Sequence, residues 1–271
     1  MLEVVWGDMA DLACVKRCVA GADYVLHIGA MVSPAADKYP EKTLYTNIGS
    51  TLAIIKAIQE QPNADDIHLV YVGTVAETGD RQYPVQMGRC GDPINPSIHD
   101  YYAISKVFSE FAVFESGLKH WVSIRQTGQY PTNEGAGEEP IIFHQPPNNV
   151  LEWSTSIESG ICMANICENW VPESFWRKAY NLSSGKGWRF TCWEFTNLMM
   201  EGMGMTFADT QDPRRMAQYN FHGHYFSDAD ALNDILYFRC IDPKTYQQGI
   251  VDSMKAMMQN PMIAAMIPGA E

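Results

Sequence analysis

An α/β fold, a doubly wound parallel sheet followed by a smaller C-terminal lobe, is what the 271-residue sequence predicts. Three observations predict it. Short apolar runs alternate with amphipathic stretches through the first half, the pattern of parallel strands joined by crossover helices. The composition, 46% hydrophobic and 19% charged, suits a globular protein with a sizeable core. Between residues 131 and 147 the chain turns to Gly, Pro, Asn and Glu, which marks an insertion or the boundary of a lobe.

In chain order, residues 24–28 (Tyr-Val-Leu-His-Ile) read as a buried strand. Residues 41–59 place Leu44, Ile48, Leu52, Ile55 and Ile58 at three- and four-residue spacing, so one face of a helix there is apolar. Residues 67–72 form the next strand, ending at Gly73-Thr74, and residues 79–98, rich in Gly and Pro, a long loop. A helix follows over 100–116 and a third strand over 121–124. Later candidates are helices at 156–169, 191–203 and 242–258 and a short strand at 180–182. Two units are expected: 1–130, an incomplete nucleotide-binding core, and 131–271, mainly a substrate lobe with elements returning to the core.

The formal net charge of −13 argues against a nucleic-acid backbone as partner, which calls for a concentrated basic surface. No stretch approaches the ~20 apolar residues that cross a bilayer, and no basic-then-apolar leader opens the sequence. Seven cysteines without a CxxC pair read as reduced thiols rather than disulfides or zinc ligands. A cytoplasmic protein without nucleic-acid or membrane partners, acting on a small molecule, is the expectation.

The strongest local signal is Tyr102-Ala103-Ile104-Ser105-Lys106. On a helix these two side chains lie on one face a turn apart. An ammonium there favours a phenolate, lowering a pKa that is ~10 unperturbed, so Tyr102 becomes a candidate acid/base for alcohol–ketone interconversion. A surface Lys beside a half-buried Tyr is the bland alternative. Upstream, Val72-Gly73-Thr74 closes a predicted strand, and in an open parallel sheet ligands bind beyond such carboxyl ends. The Thr74 hydroxyl can orient a substrate oxygen there; otherwise it only caps a turn.

Ordered with these are Gly7-Asp8-Met9 with Asp11, then Ala22-Asp23-Tyr24-Val25-Leu26-His27-Ile28-Gly29-Ala30, then Thr46-Asn47-Ile48-Gly49-Ser50-Thr51. Together the four motifs, over roughly residues 3–200, resemble the extended, or atypical, short-chain dehydrogenase/reductase family of NAD-dependent epimerase/dehydratase type. The resemblance implies a Rossmann-like sheet, NAD or NADP as cofactor, and reversible hydride transfer between it and a secondary alcohol or ketone. It implies Thr74, Tyr102, Lys106 and Asn47 as the catalytic set. It further implies that Asp8, Met9, Ile28, Gly29 and Ala30 contact the adenosine half, with Lys106 on the nicotinamide ribose and Gln126 lining the cofactor site. Sugar-nucleotide epimerisation or dehydration, or a catalytically silent subunit, are the alternatives.

Two departures qualify the resemblance. Gln126 and Gly128 stand where the family carries Pro and Asn, so substrate contacts do not transfer at those two positions. The glycine-rich G-x-x-G-x-x-G phosphate turn occurs nowhere in the sequence, so the Rossmann-like sheet is expected to be N-terminally incomplete, with apolar edges that favour a homo-oligomer or a rearranged N-terminus.

Other features read as structural. Asp100, beside His99, suits a helix N-cap. His222-Gly223-His224 suits a loop packed by Phe221, Tyr225 and Phe226 better than a metal site. Trp170, Trp176, Trp188 and Trp193 are expected to cluster in the lobe, and Met254, Met257, Met258, Met262 and Met266 to lie on one docked helix.

Overall fold

Alternation of apolar residues along three strands decides the architecture seen in the computed structural model, which describes residues 3–79, 81, 84–130, 143–218 and 222–260. Leu69 and Tyr71 point to one face of the sheet and Val70 and Val72 to the other, and both faces are covered. The central sheet holds β1 (Tyr24–His27), β2 (His68–Thr74), β4 (His120–Gln126) and β6 (Lys178–Leu182), all parallel and in that spatial order.

On one face lie α1 (Leu12–Val19), α3 (Pro40–Gln59) and α4 (Tyr101–Phe114), burying Val15, Val19, Ile54, Ile58 and Val113 against the strands. On the other, α5 (Ser156–Ile166) and α8 (Asp230–Leu236) bring Cys162, Met163, Ile166, Leu232 and Leu236 onto Val70, Val72, Val122 and Ile124. A short helix, α2 (Ala35–Lys38), precedes α3. β6, from beyond residue 130, is thus a member of the central sheet.

Outside the sheet, β5 (Val150–Glu152) pairs antiparallel with β7 (Arg189–Thr191), and β3 (Met87–Gly88) pairs with β8 (Tyr225–Phe226). The buried carboxylate of Glu152 joins them, accepting from Ser183 Oγ, Arg189 Nε and the Phe226 amide. Tyr130, Trp188 and Met199 form an aromatic-rich cluster with Phe195 on α6 (Cys192–Glu201) and Tyr246 on α9 (Pro243–Met258), while α7 (Phe207–Thr210) seats Phe207 beside Trp193.

The expected tryptophan cluster does not form. Trp176 packs beneath the sheet with His68 and Phe175, Trp188 lies in the aromatic cluster, and Trp170 meets Tyr237 at the surface. Each follows a different neighbouring element, which nearness in sequence conceals. Most of 131–147, together with Phe221, Met262 and Met266, lies outside the described residues. All seven cysteines are free. No helix among the described residues is long and apolar enough to cross a membrane.

Candidate active site

β2 ends at Thr74, whose backbone opens a short 3-10 turn, Val75–Thr78. The Thr74 hydroxyl accepts from the Ala76 amide at 3.2 Å, and the Thr74 amide donates to Glu77 Oε1 at 2.9 Å, a reciprocal cap that fixes the threonine beyond the strand end. Gly73 makes room for this cap, because a Cβ there would stand 3.0 Å from Glu77 Oε1 and 3.0 Å from Ser123 Oγ.

Asp100 caps α4, taking the Ala103 amide on Oδ1 at 2.8 Å and His222 Nδ1 on Oδ2 at 3.1 Å. Tyr102, in the first turn of that helix, thereby stands at the sheet's carboxyl end, near enough to the Thr74 hydroxyl for it to favour the phenolate. Two oxygens that lie 28 positions apart in sequence meet on one side of the molecule.

The lysine behaves otherwise than its spacing suggests. Lys106 Nζ donates to the Val72 carbonyl at 2.5 Å and lies 4.2 Å from the Tyr71 ring centroid. Burial pulls its pKa down to about 8, against the fields of Glu77 and Glu110, which raise it. Tyr102 is pushed up to about 12 by burial, with Glu77 and Asp100 adding to the rise and the Thr74 hydrogen bond opposing it. The expectation of a phenol made more acidic is therefore not met in this state: the ammonium is turned to the strand carbonyl and to the carboxyls behind it.

Asn47 on α3 accepts from the Met31 amide at 2.7 Å and donates to the Met31 carbonyl at 3.0 Å and to Ser105 Oγ at 2.8 Å. It thus ties the turn after β1 to the helix of Tyr102. His27, at the end of β1, hydrogen-bonds Thr51 at 3.0 Å, and burial followed by the charge of Lys106 depresses its pKa to about 3. Gln126 closes β4 in register with Thr74.

A charge cluster that the sequence motifs do not single out lies directly behind. Arg125 on β4 donates to both oxygens of Glu110, at 3.0 and 2.7 Å, and its Nε stands 3.4 Å from Glu77 Oε2. A signal for it exists: Tyr102, Lys106 and Glu110 recur every four residues, and an arginine follows the strand residues Trp121-Val122-Ser123-Ile124. The other motif histidine, His224, is buried and bonds Thr78.

A family model described as the NAD dependent epimerase/dehydratase family matches residues 1–152, more than half of the sequence. The chain belongs to that family. A search of curated proteins found no match. Among solved structures, this epimerase/dehydratase chain is similar to DesIV, the dTDP-glucose 4,6-dehydratase of Streptomyces venezuelae, solved with NAD bound, at TM-score 0.71 and 16% identity over 98% of this chain and 81% of that one. It is similar to WbmG of Bordetella bronchiseptica, in complex with NAD and UDP, at TM-score 0.69 and 16% identity, over 94% of this chain and 81% of that one. L-threonine 3-dehydrogenase of Trypanosoma brucei gives 0.67 and 17%, over 95% and 82%. At these identities the likeness is one of fold, and the fold is Rossmann-like.

The residues present fit part of the family's cofactor. Beyond the end of β1, Ile28 and Met9 are exposed and apolar, and Met9 lies over Gly29, where a Cβ would come 3.0 Å from its Cε. Exposed apolar groups beside a bare backbone suit a purine; Ala30 follows in the turn, and exposed Asp8, next to Met9 in sequence, accepts from the Ala10 amide at 2.8 Å. For the cofactor's diphosphate the sequence carries no glycine-rich turn.

Proposed function

We propose that this family member is an NAD(P)-dependent oxidoreductase interconverting a secondary alcohol and a ketone. The observation that carries the proposal is that Thr74, at the end of β2, and Tyr102, in the first turn of α4, come near enough for the threonine hydroxyl to influence the phenol, with Lys106 one turn further along α4. When bound, the nicotinamide supplies or accepts the hydride. Tyr102, protonated at neutral pH, donates its proton to the substrate oxygen during carbonyl reduction and takes one back during oxidation. Thr74 polarises that oxygen with its hydroxyl hydrogen, the lone-pair side being held by the Ala76 amide. Asn47 keeps the turn after β1 in place, and Lys106 holds the nicotinamide ribose. Asp8, Met9, Ile28, Gly29, Ala30 and Gln126 are the proposed remaining cofactor contacts, and 131–271 the proposed substrate lobe.

Plain hydride transfer is favoured over dehydration by the two residues after Thr74. Removing water from a substrate calls for a further acid and base beside the reacting carbons, and Val75 and Ala76 are apolar and buried there. A sugar nucleotide's diphosphate is disfavoured by the lobe's one adjacent arginine pair: Arg214 is bound to Asp212 at 2.6 Å, and Arg215 stacks on Phe143. Homo-oligomers are proposed from the exposed Tyr45 and Leu52 of α3 and Phe108 and Phe111 of α4, together with exposed Leu26 on β1. Seven free thiols fit a reducing compartment, and we propose the cytoplasm.

Titration with NAD and NADP, followed by a panel of secondary alcohols and ketones, tests this reading. Saturable binding and a change in nicotinamide absorbance that Tyr102→Phe abolishes are expected. A well-folded protein that binds neither nucleotide would instead be the silent subunit.

A further inference from the structure

The carboxyls of Glu77 and Glu110 sit together behind Thr74, at 0% and 1% exposure, and hydride transfer as described uses neither. Their partners differ. Glu110 is fully engaged: Oε1 accepts from Ser123 Oγ at 2.6 Å and Arg125 Nε at 3.0 Å, and Oε2 from Arg125 Nη2 at 2.7 Å. Glu77 Oε1 accepts from the Thr74 amide, but its buried Oε2 accepts no hydrogen bond and has near it, at 3.4 Å, only the Arg125 Nε whose hydrogen is already given to Glu110. One guanidinium N–H therefore faces an oxygen of each carboxyl, and a single donor cannot satisfy two buried carboxylates at once. One proton resolves this, and the oxygen with no hydrogen bond of its own is the one to carry it.

We propose that Glu77 is a positioning residue that works as an un-ionised acid, pinning Thr74 through its amide and leaving Lys106 with a charge that no carboxylate offsets. The inference rests on the oxidoreductase reading above. Its second half is a charge count. The ionisable groups facing Glu77 are Glu110, Lys106 and Tyr102 from α4, Arg125 from β4 and Tyr71 from β2. Arg125 is neutralised by its two-pronged bond to Glu110. With Glu77 ionised, Lys106 would be neutralised as well; with Glu77 protonated, one positive charge is left over, on the lysine that shares a helix face with Tyr102. Burial and the repulsion of Glu110 hold the Glu77 pKa well above the carboxylate range. Glu110, although burial opposes its charge too, is held low by Arg125, Glu77 and Ser123.

Glu77→Gln and Glu77→Leu separate the possibilities. Glutamine retains an acceptor for the Thr74 amide and a donor toward Glu110, so it mimics the acid; leucine retains neither. With NADH and a panel of ketones, Glu77→Leu is expected to lower kcat by about tenfold or more, as small displacements of a reacting group do, with less effect on KM. Glu77→Gln is expected to rescue most of that loss with the wild-type pH profile. Glutamine as damaging as leucine, or a shifted pH profile, overturns the role of the proton; leucine without effect on kcat overturns the positioning.

Infrared difference spectra of wild type minus Glu77→Gln need no turnover. A protonated-carboxyl band at neutral pH is expected, and its absence overturns the proposal even if the leucine variant fails to fold. Melting temperatures probe the same proton independently. An acid whose folded pKa exceeds its unfolded value costs stability as pH rises from the unfolded value toward the folded one, so the glutamine variant should gain on wild type as pH rises above the ordinary carboxylate range. A wild type inert toward all alcohols and ketones would sink the oxidoreductase reading, while the band and the melts still test Glu77.

Discussion

Asn47→Ala removes three hydrogen bonds from a side chain with 2% exposure: one taken from the Met31 amide, and those given to the Met31 carbonyl and Ser105 Oγ. The Met31 groups are partly reachable by water, so they regain solvent bonds and no full desolvation penalty follows. At about 1 kcal/mol net for each bond, the loss is roughly 3 kcal/mol. For a chain of this size that corresponds to a melting temperature lower by roughly 6–12 °C. Differential scanning fluorimetry measures it directly. Nucleotide titration of the folded variant should also show weaker binding, because the turn bearing Met31 follows Ile28, Gly29 and Ala30. A variant that melts within about 2 °C of wild type would refute the reasoning, since the loss would then be below 1 kcal/mol.

Other perturbations have equally definite outcomes. In steady-state kinetics Tyr102→Phe should lower kcat by about 10²–10⁴-fold and Thr74→Ala by about 10²-fold, the latter also losing about 1 kcal/mol of stability with its cap to the Ala76 amide. Because Tyr102 titrates near 12 in the free protein, ketone reduction should be flat through neutral pH, and alcohol oxidation should rise up to about tenfold per pH unit between 7 and 9; a plateau of oxidation below pH 8 would contradict this. Gly73→Ala pushes a methyl against Glu77 and Ser123, with an expected loss of about 1–3 kcal/mol in denaturant titrations. His27 has a depressed folded pKa near 3, so its contribution is present above its ordinary value of 6.5 and is lost as pH falls from there toward 3. It should account for roughly 2 kcal/mol of the stability lost by pH 5, and His27→Gln should shrink the difference in melting temperature between pH 7 and 5.

The sheet was legible because its strands are apolar on both faces and its long helices on one. Residues 41–59 and 100–116 emerge as Pro40–Gln59 and Tyr101–Phe114, and residues 67–72 as the start of His68–Thr74. The eight-residue helix Leu12–Val19 escaped because so short a segment shows too few turns for a period, and β5 and β7 because three residues show no alternation. At the site, Thr74, Tyr102 and Asn47 could be named from local motifs. The direction of the Lys106 ammonium could not, for it depends on the Val72 carbonyl and on Glu77, Glu110 and Arg125, brought together from four separate elements. Spacing along a helix says which residues share a side; it does not say which neighbour wins a flexible cation.

Asp100 has one further consequence. Its two oxygens have separate duties, one starting the helix of Tyr102 and the other gripping His222 from a distant stretch of chain. Should that histidine swing away, the carboxylate would face the phenol with its charge less offset and make the proton there harder to remove. The seating of the far segment and the readiness of the tyrosine to give up its proton are therefore set by a single side chain, so a shift in one is felt by the other without any change in the residues between them.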